Sequence, residues 1–400
     1  MSSAWQPGGE SAAVPLPLPR RTPVGEGPAR ARSPRTAPAA APAPSIVGSV
    51  TAVPGFSATQ DEVKARLREL FDLPARRLDA AMALFDHAAV ERRFSVEPIE
   101  QLGVPRPLSE IQDRYREHAL ALGREVAREA LAQAGVAAAE IDLIVTTSCT
   151  GIMIPSLDAY LVDELGLRSD VRRLPITELG CVAGAAALAR AHDFLVGFPD
   201  AHVLVIAVEL PSLSMQRADL SLANLVATAL FGDGAAAVVL AGGDVKTDGG
   251  AGTGARVTIL DTLSHIWPRS TYALGFDLKD DGFHSVLSKD VPDLLRSEIG
   301  ALVRTLAGRR GLTREDLSSF VFHPGGRKIL GFLEEELGLS RADTQPSWDV
   351  LRDYGNQSSA SVLFVLQEWL TRRRPAAGSH GVLAAFGPGL TSELLLLGWS

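Results

Sequence analysis

The sequence predicts an α/β protein made of two similar halves, and three observations carry that prediction. Strand-like and helix-like segments alternate from about residue 45 onward, the ordering of α/β proteins. An Ala-rich segment at 182–196 is apolar on nearly every face and is followed by the β-branched run 203–208, so it reads as a central helix packed against sheets. Finally, Phe231-Gly232-Asp233-Gly234 and Phe386-Gly387-Pro388-Gly389 each precede an apolar strand, a faint internal echo that closes each half.

Residues 1–44 are mostly Ala, Pro, Arg and Ser, too poor in burial to offset the entropy of ordering, and are expected to form a disordered tail. Its arginines, Arg20, Arg21, Arg30, Arg32 and Arg35, read as solvated, with a weak electrostatic tether as the alternative. The folded part begins at Ser45: residues 46–53 read as a strand, and 58–70 have helical spacing with Ser57 as the cap candidate. A long helix is expected at 108–134, a strand at 141–147, a helix at 156–165 and a strand near 173–176, ahead of the central helix and its strand. The Gly-rich stretch 241–255 lacks periodic apolar positions and is the natural connection, which puts the boundary near Gly249 and the halves at 45–248 and 249–400. In the second half, 320–322 is an apolar strand, a helix opens near Lys328, and 361–370 is an apolar helix.

Composition excludes several function classes. The 39 Lys and Arg against 47 Asp and Glu leave a net charge of −8, and no basic run lies beside aromatics, which argues against nucleic-acid binding. The longest apolar runs, 203–208 and 394–397, fall far short of the roughly 20 residues of a membrane span. Two cysteines make no disulfide framework, and no Cys/His cluster has zinc-ligand spacing, so no metal site is expected and the compartment reads as reducing. The first forty-odd residues lack the apolar core of a signal peptide, and a cytoplasmic protein is expected.

Three residues stand out for chemistry. Cys181, in Leu179-Gly180-Cys181-Val182-Ala183-Gly184, sits in a Gly-flanked turn leading into the central helix, where unpaired amides and the helix dipole favour a thiolate; a buried structural cysteine is the alternative. His323 follows an apolar strand and precedes the turn Pro324-Gly325-Gly326, a strand end of the kind where catalytic side chains collect. His265 and His284 qualify equally by composition, but the flanking glycines set His323 apart. Asn356 lies at the head of an apolar helix, where it is either an N-cap or an oxyanion donor. Together the three supply nucleophile, base and oxyanion donor from three regions of the chain.

The motifs LGCVAG, FGDGAAAVV, FHPGG, GNQSSASVLFVL and AFGPGLTSELLL occur in the order and spacing of type III polyketide synthases, so the chain resembles the chalcone-synthase superfamily from about Ile46 to Trp399. The resemblance implies a thiolase-like, five-layered α-β-α-β-α fold with two duplicated halves, and a homodimer. It implies that Cys181 takes an acyl group from an acyl-CoA while His323 holds the sulfur as thiolate. His323 and Asn356 would then donate to the thioester oxygen of malonyl-CoA as carbon dioxide leaves, with no metal or redox cofactor. Phe231 matches the family's gate phenylalanine, and Ile154 the residue that crosses into the partner's cavity. Cys149, Glu209 and Ser358 match a hydrogen-bond network near the nucleophile, although a packing role is expected for Cys149. The cavity set is completed by Ser214, Phe386, Gly387 and Pro388, and the CoA-binding set by Arg92, Arg93, Gly325, Gly326 and Lys328.

Departures from the family pattern bear on the product. Ser285 stands where many members carry a second gate phenylalanine, which implies a wider cavity mouth. Phe276 stands where tetrahydroxynaphthalene-type and phloroglucinol-type relatives carry tyrosine, and it has no hydroxyl with which to meet a malonyl carboxylate. An aliphatic acyl starter and an alkylpyrone or alkylresorcinol product are therefore expected, ahead of a malonyl-primed aromatic. An initiating ketoacyl-carrier-protein synthase is disfavoured by His323-Pro324-Gly325-Gly326 and Gly387-Pro388-Gly389. A non-catalytic member of the fold is disfavoured by the intact Cys181, His323 and Asn356.

Overall fold

The computed structural model describes residues 43–71, 74–245 and 256–400. The expected disordered tail, through residue 42, and the expected boundary at Gly249 lie outside the described residues.

The first half runs β1 (Ser45–Ala52), β2 (Phe56–Thr59), α1 (Gln60–Leu70), α2 (Ala75–Asp86), β3 (Arg92–Ser95), α3 (Leu108–Ala134), β4 (Ile141–Thr147), α4 (Leu157–Leu165), β5 (Arg172–Ile176), α5 (Ala183–Gly197), β6 (His202–Glu209), α6 (Leu222–Leu230) and β7 (Gly234–Ala241). The second runs β8 (Val257–Ile266), β9 (Leu274–Lys279), β10 (Gly282–Leu287), α7 (Val291–Gly308), β11 (Leu317–Phe322), α8 (Arg327–Leu337), α9 (Arg341–Tyr354), α10 (Ser361–Glu368), β12 (His380–Gly387) and β13 (Thr391–Trp399).

Nine strands join one sheet in the order β11-β12-β13-β8-β1-β7-β6-β4-β5. The echo read in the sequence is topological. In the first half β1 pairs antiparallel with β7, β7 antiparallel with β6, and β6 parallel with β4. In the second, β8, β13, β12 and β11 repeat that pattern strand for strand. The halves meet at β1 and β8 through two residue pairs, Ser45 with Thr258 and Ile46 with Val257.

Side-chain alternation along the strands builds the layers, because successive residues point to opposite faces. On β6, Val203, Val205 and Ala207 pack with α5 and α10 and with inward residues of β11, β12 and β13. Leu204, Ile206 and Val208 face the other way, onto α3 and α4. On the second half, Phe320, Phe322, Val382 and Ala384 turn outward onto α7 and α8. The result is helix, sheet, helix, sheet, helix, with α5 and α10 in the middle. That position explains why α5 is Ala-rich and apolar all round: Ala185, Ala187, Leu188 and Ala189 are fully buried.

One boundary differs from expectation. Ser57 lies in β2, paired with Phe94 of β3, and the cap of α1 is Thr59. Thr59 and Glu62 form a reciprocal capping box, with the Thr59 amide donating to Glu62 Oε2 at 2.7 Å; the Gln60 side chain, three residues after Ser57, is instead engaged with the Phe85 and Ala229 carbonyls and Arg93.

Candidate active site

The turn before α5 is shaped by glycine. Gly180 has φ +55°, and a Cβ there would lie 2.6 Å from Pro388 Cδ, so the turn between β12 and β13 lies directly over the Cys181 turn. A Cβ on Gly184 would lie 2.1 Å from the Ser359 carbonyl oxygen, which lets the first turn of α5 close on the segment preceding α10. The two loops that the motifs marked are thereby brought against Cys181 from the other half of the chain.

Cys181, His323 and Asn356 line one cavity, with a water-accessible volume of about 120 Å³. His323 extends the β11–β12 pairing, its amide donating to the Ala384 carbonyl at 2.9 Å, and its side chain is 2% exposed. Both of its ring nitrogens lack a hydrogen-bond partner, and burial pushes its pKa down to about 3. Asn356 is held by both ends of its backbone: its amide donates to the Leu230 carbonyl at 2.8 Å, and its carbonyl accepts from Gly232 at 3.1 Å. Its side-chain Oδ1 accepts from the Ser358 amide at 2.8 Å and the Ser361 hydroxyl at 3.3 Å. Oδ1 is thus taken up by the segment that leads into α10, while the residue also lines the cavity.

Burial pushes the Cys181 thiol up to about 11, against the lowering effect of hydrogen bonds from Ser358 and Asn356. The resemblance implies a thiolate paired with imidazolium. In this geometry burial disfavours the charged form of each group taken alone, and no Cys181–His323 hydrogen bond is present among the described residues. A proton passed from the thiol to the imidazole would leave the pair neutral overall.

A second cavity, of about 80 Å³, is lined by Cys149, Ser214 and Ser358. Phe231, Ala227, Phe276 and Ser285 line both cavities and form the wall between them. Phe276 and Ser285 are directly paired across the β9–β10 hairpin, and Phe276 is 38% exposed. The Ser358 hydroxyl stands between the two thiols, 3.2 Å from Cys149 Sγ and 3.5 Å from Cys181 Sγ. Behind it Glu209 is fully buried, accepting from Thr150 Oγ1 at 2.8 Å, Ser359 Oγ at 2.5 Å and the Cys149 amide at 3.1 Å. Burial raises the Glu209 pKa, and burial with the neighbouring Glu209 raises that of Cys149 further.

The remaining expected residues divide. Gly325, Phe386 and Pro388 line the Cys181 cavity. Gly387 lies beside it, where a Cβ would meet the Leu179 carbonyl at 2.5 Å, and Gly326 packs near Leu230. Arg92 and Lys328 are exposed and line neither cavity, and Ile154 is 94% exposed, outside both cavities of its own chain.

Arg93 is a correction. It is buried, and both terminal nitrogens of its guanidinium are engaged: Nη1 donates to the Thr228 carbonyl at 2.5 Å and the Phe231 carbonyl at 3.1 Å, and Nη2 to the Ala229 carbonyl at 2.7 Å and to Gln60, which leaves Nε without a partner. Instead of offering a charge to CoA, it caps the last turn of α6 and holds Phe231. Asp233, in the same motif, ties the loops on either side of the site together, a role not singled out from the sequence. Its buried carboxylate accepts from the Val96 amide at 2.8 Å, the Ser212 amide at 2.9 Å and the Ser212 hydroxyl at 2.5 Å, and burial pushes its pKa up to about 6. The FGDG motif was the available signal for it.

The comparisons with known proteins agree along the chain. The family profile described as chalcone and stilbene synthases, N-terminal domain, matches residues 102–244, and the corresponding C-terminal domain matches 259–399. A 1,3,6,8-tetrahydroxynaphthalene synthase of Streptomyces peucetius subsp. caesius is 41% identical over 89% of this chain and 93% of its own length. An alpha-pyrone synthesis polyketide synthase-like protein of Mycobacterium tuberculosis is 32% identical over 88% of this chain and 90% of its own. The solved structure of the Streptomyces coelicolor tetrahydroxynaphthalene synthase, a bacterial type III polyketide synthase, superposes with a TM-score of 0.81 at 34% identity, covering 89% of this chain and 99% of that one. With both halves matched and the strand-helix layers in place, the chain belongs to the chalcone and stilbene synthase family of type III polyketide synthases, enzymes of the acyltransferase, condensing class.

Proposed function

We propose that this enzyme condenses an aliphatic acyl-CoA with successive malonyl-CoA units on Cys181 and releases a cyclised alkylpyrone or alkylresorcinol. The observation that carries the reading is the buried His323 ring, with both nitrogens unpartnered, in the same cavity as Cys181 and Asn356. A polar group so buried costs free energy unless a ligand meets it.

In the loading step Cys181 Sγ attacks the acyl-CoA carbonyl, its proton passes to His323, and CoA leaves as the thiol after taking a proton. Malonyl-CoA then places its thioester oxygen against His323 and Asn356 Nδ2. Their two N–H groups stabilise the enolate that forms as the C–C bond to the carboxylate breaks and carbon dioxide departs. The enolate carbon attacks the acyl-Cys181 carbonyl, the bond from that carbon to Cys181 Sγ breaks, and Cys181 leaves as thiolate while the chain, two carbons longer, stays on CoA and is passed back to Cys181 for the next round. Phe231 supplies an apolar wall that disfavours the malonyl carboxylate relative to neutral carbon dioxide. None of these steps asks for a metal or a redox cofactor.

The exposed Arg92 and Lys328 and the Gly325-Gly326 turn are our candidates for meeting the CoA phosphates. Ile154, almost wholly exposed, is our candidate for a contact with a second copy in a homodimer. Among the described residues no helix is long and apolar enough to cross a membrane, and we propose a cytoplasmic enzyme acting on CoA thioesters.

The second reading, a malonyl-primed aromatic product, is favoured by the 41% identity to a protein named for tetrahydroxynaphthalene. Phe276 opposes it, since this residue stands in the shared wall without a hydroxyl. Mass spectrometry of the products made from labelled malonyl-CoA, with and without acyl-CoA starters of increasing length, separates the two. Extended products only with acyl starters support the leading reading, and an aromatic product from malonyl-CoA alone overturns it in favour of the second.

A further inference from the structure

The hairpin that carries Phe276 and Ser285 is docked by one imidazole. His284 lies next to Ser285 on β10 and, by strand alternation, turns away from it. Its Nδ1 is 3.2 Å from Asp219 Oδ2, in the loop that leads into α6, and its Nε2 is 2.8 Å from Asp281 Oδ1, at the hairpin turn. The side chains of His284 and Asp219 are mostly buried, while Asp281 is exposed. The loop has its own anchors: the Ser221 amide donates to Asp219 Oδ1 at 2.8 Å, and Asn224 Nδ2 donates to the Gln216 and Asp219 carbonyls. Gln216 Nε2 donates to the Asp281 carbonyl at 3.1 Å, a second tie between loop and turn.

We propose that His284 is a positioning residue for starter selection, fixing the β9–β10 hairpin on the 216–221 loop and thereby the Phe276–Ser285 wall that both cavities share. The proposal rests on the acyl-CoA reading above and names what sets its specificity. The ring spans the two carboxylates, one ring nitrogen facing each. The charged groups around it are Asp219 on the loop, Asp281 at the turn with Lys279 beside it, and the exposed Asp277 directly across on β9; α6 contributes no charged side chain.

The test compares wild type with His284→Gln, Asp219→Asn, the double variant and the control Asp277→Asn. The readout is the ratio of kcat/KM for a long to a short acyl-CoA, measured from pH 6 to 8.5. Taking the ratio cancels pH effects common to both starters at Cys181 and His323. His284→Gln and Asp219→Asn should each change the ratio about two- to fivefold at pH 6.5, the double variant should go no further than either, and Asp277→Asn should match wild type. Wild-type behaviour of His284→Gln, or additive effects in the double variant, would overturn the proposal. If His284→Gln does not fold, Asp219→Asn decides alone, and a wild-type ratio there overturns the proposal. Loss of this effect while extension still requires Cys181 refutes the His284 role alone; extension that survives Cys181→Ala refutes the underlying reading.

Discussion

Replacing His323 with Gln tests how the nucleophile is activated. The substitution keeps a polar side chain of similar reach but removes the group we propose as the acceptor of the thiol proton. Cys181 then keeps the buried setting that pushes its pKa up to about 11. At pH 7.5 such a thiol is ionised in on the order of one molecule in three thousand, against about one in ten for a free cysteine, so thiolate is depleted about 300-fold. Iodoacetamide labelling of Cys181 in His323→Gln should therefore be very slow at pH 7.5 and rise about tenfold per pH unit up to pH 9.5. In wild type the imidazole takes the proton and the pair stays neutral overall, so labelling at pH 7.5 should be at least about tenfold faster than in the variant. Peptide mass spectrometry separates Cys181 from Cys149, whose pKa is likewise raised by burial and by Glu209, and which should stay unlabelled in both proteins at pH 7.5. Equal labelling rates of Cys181 in the two proteins would refute the coupling of thiol and imidazole.

Three further outcomes follow from the packing. Arg93→Met leaves the Thr228, Ala229 and Phe231 carbonyls without their buried donor; a stability loss of about 3 kcal/mol or more is expected, seen as a lower thermal midpoint with reduced turnover, and unchanged values of both would exclude the capping role. Phe231→Ala should merge the two cavities and raise the carbon dioxide released per malonyl unit incorporated, measured with carboxyl-labelled malonyl-CoA; an unchanged ratio would show that Phe231 does not couple decarboxylation to extension. Gly180→Ala forces a side chain into a φ of +55° and to within 2.6 Å of Pro388, which should cost about 1–3 kcal/mol and slow acyl loading followed by intact-protein mass; wild-type loading would mean that the turn adapts.

Much of the fold was legible because its long elements are strongly periodic. The helix Leu108–Ala134 and the strand Ile141–Thr147 have the bounds that spacing alone predicts, and the apolar character of α5 is what a helix between two sheets requires. The start of α1 was misplaced because the signal for a cap is reciprocal: Thr59 has Glu62 three residues on, while Ser57 serves a short edge pairing with β3. The β9–β10 hairpin was not read as such, although Leu274, Phe276 and Leu278 alternate along β9; its two strands are only six residues each and pair with each other outside the nine-stranded sheet. In the site, motif order singled out Cys181, His323 and Asn356, but no local pattern states that Gly387 and Pro388 pack over the Cys181 turn. Arg93 is the clearest case. Its charge suggested an anionic ligand, whereas its partners are carbonyls some 135 residues away in sequence, visible only once α6 is folded beside β3.

The most direct test of the central claim is incorporation of labelled malonyl-CoA into extended products by purified wild-type and Cys181→Ala protein, given the same acyl-CoA starter. The account predicts extended, cyclised products from wild type and none from Cys181→Ala, with thermal unfolding showing that the variant is folded. Any extended product from folded Cys181→Ala would contradict the assignment of Cys181 as the residue that carries the growing chain.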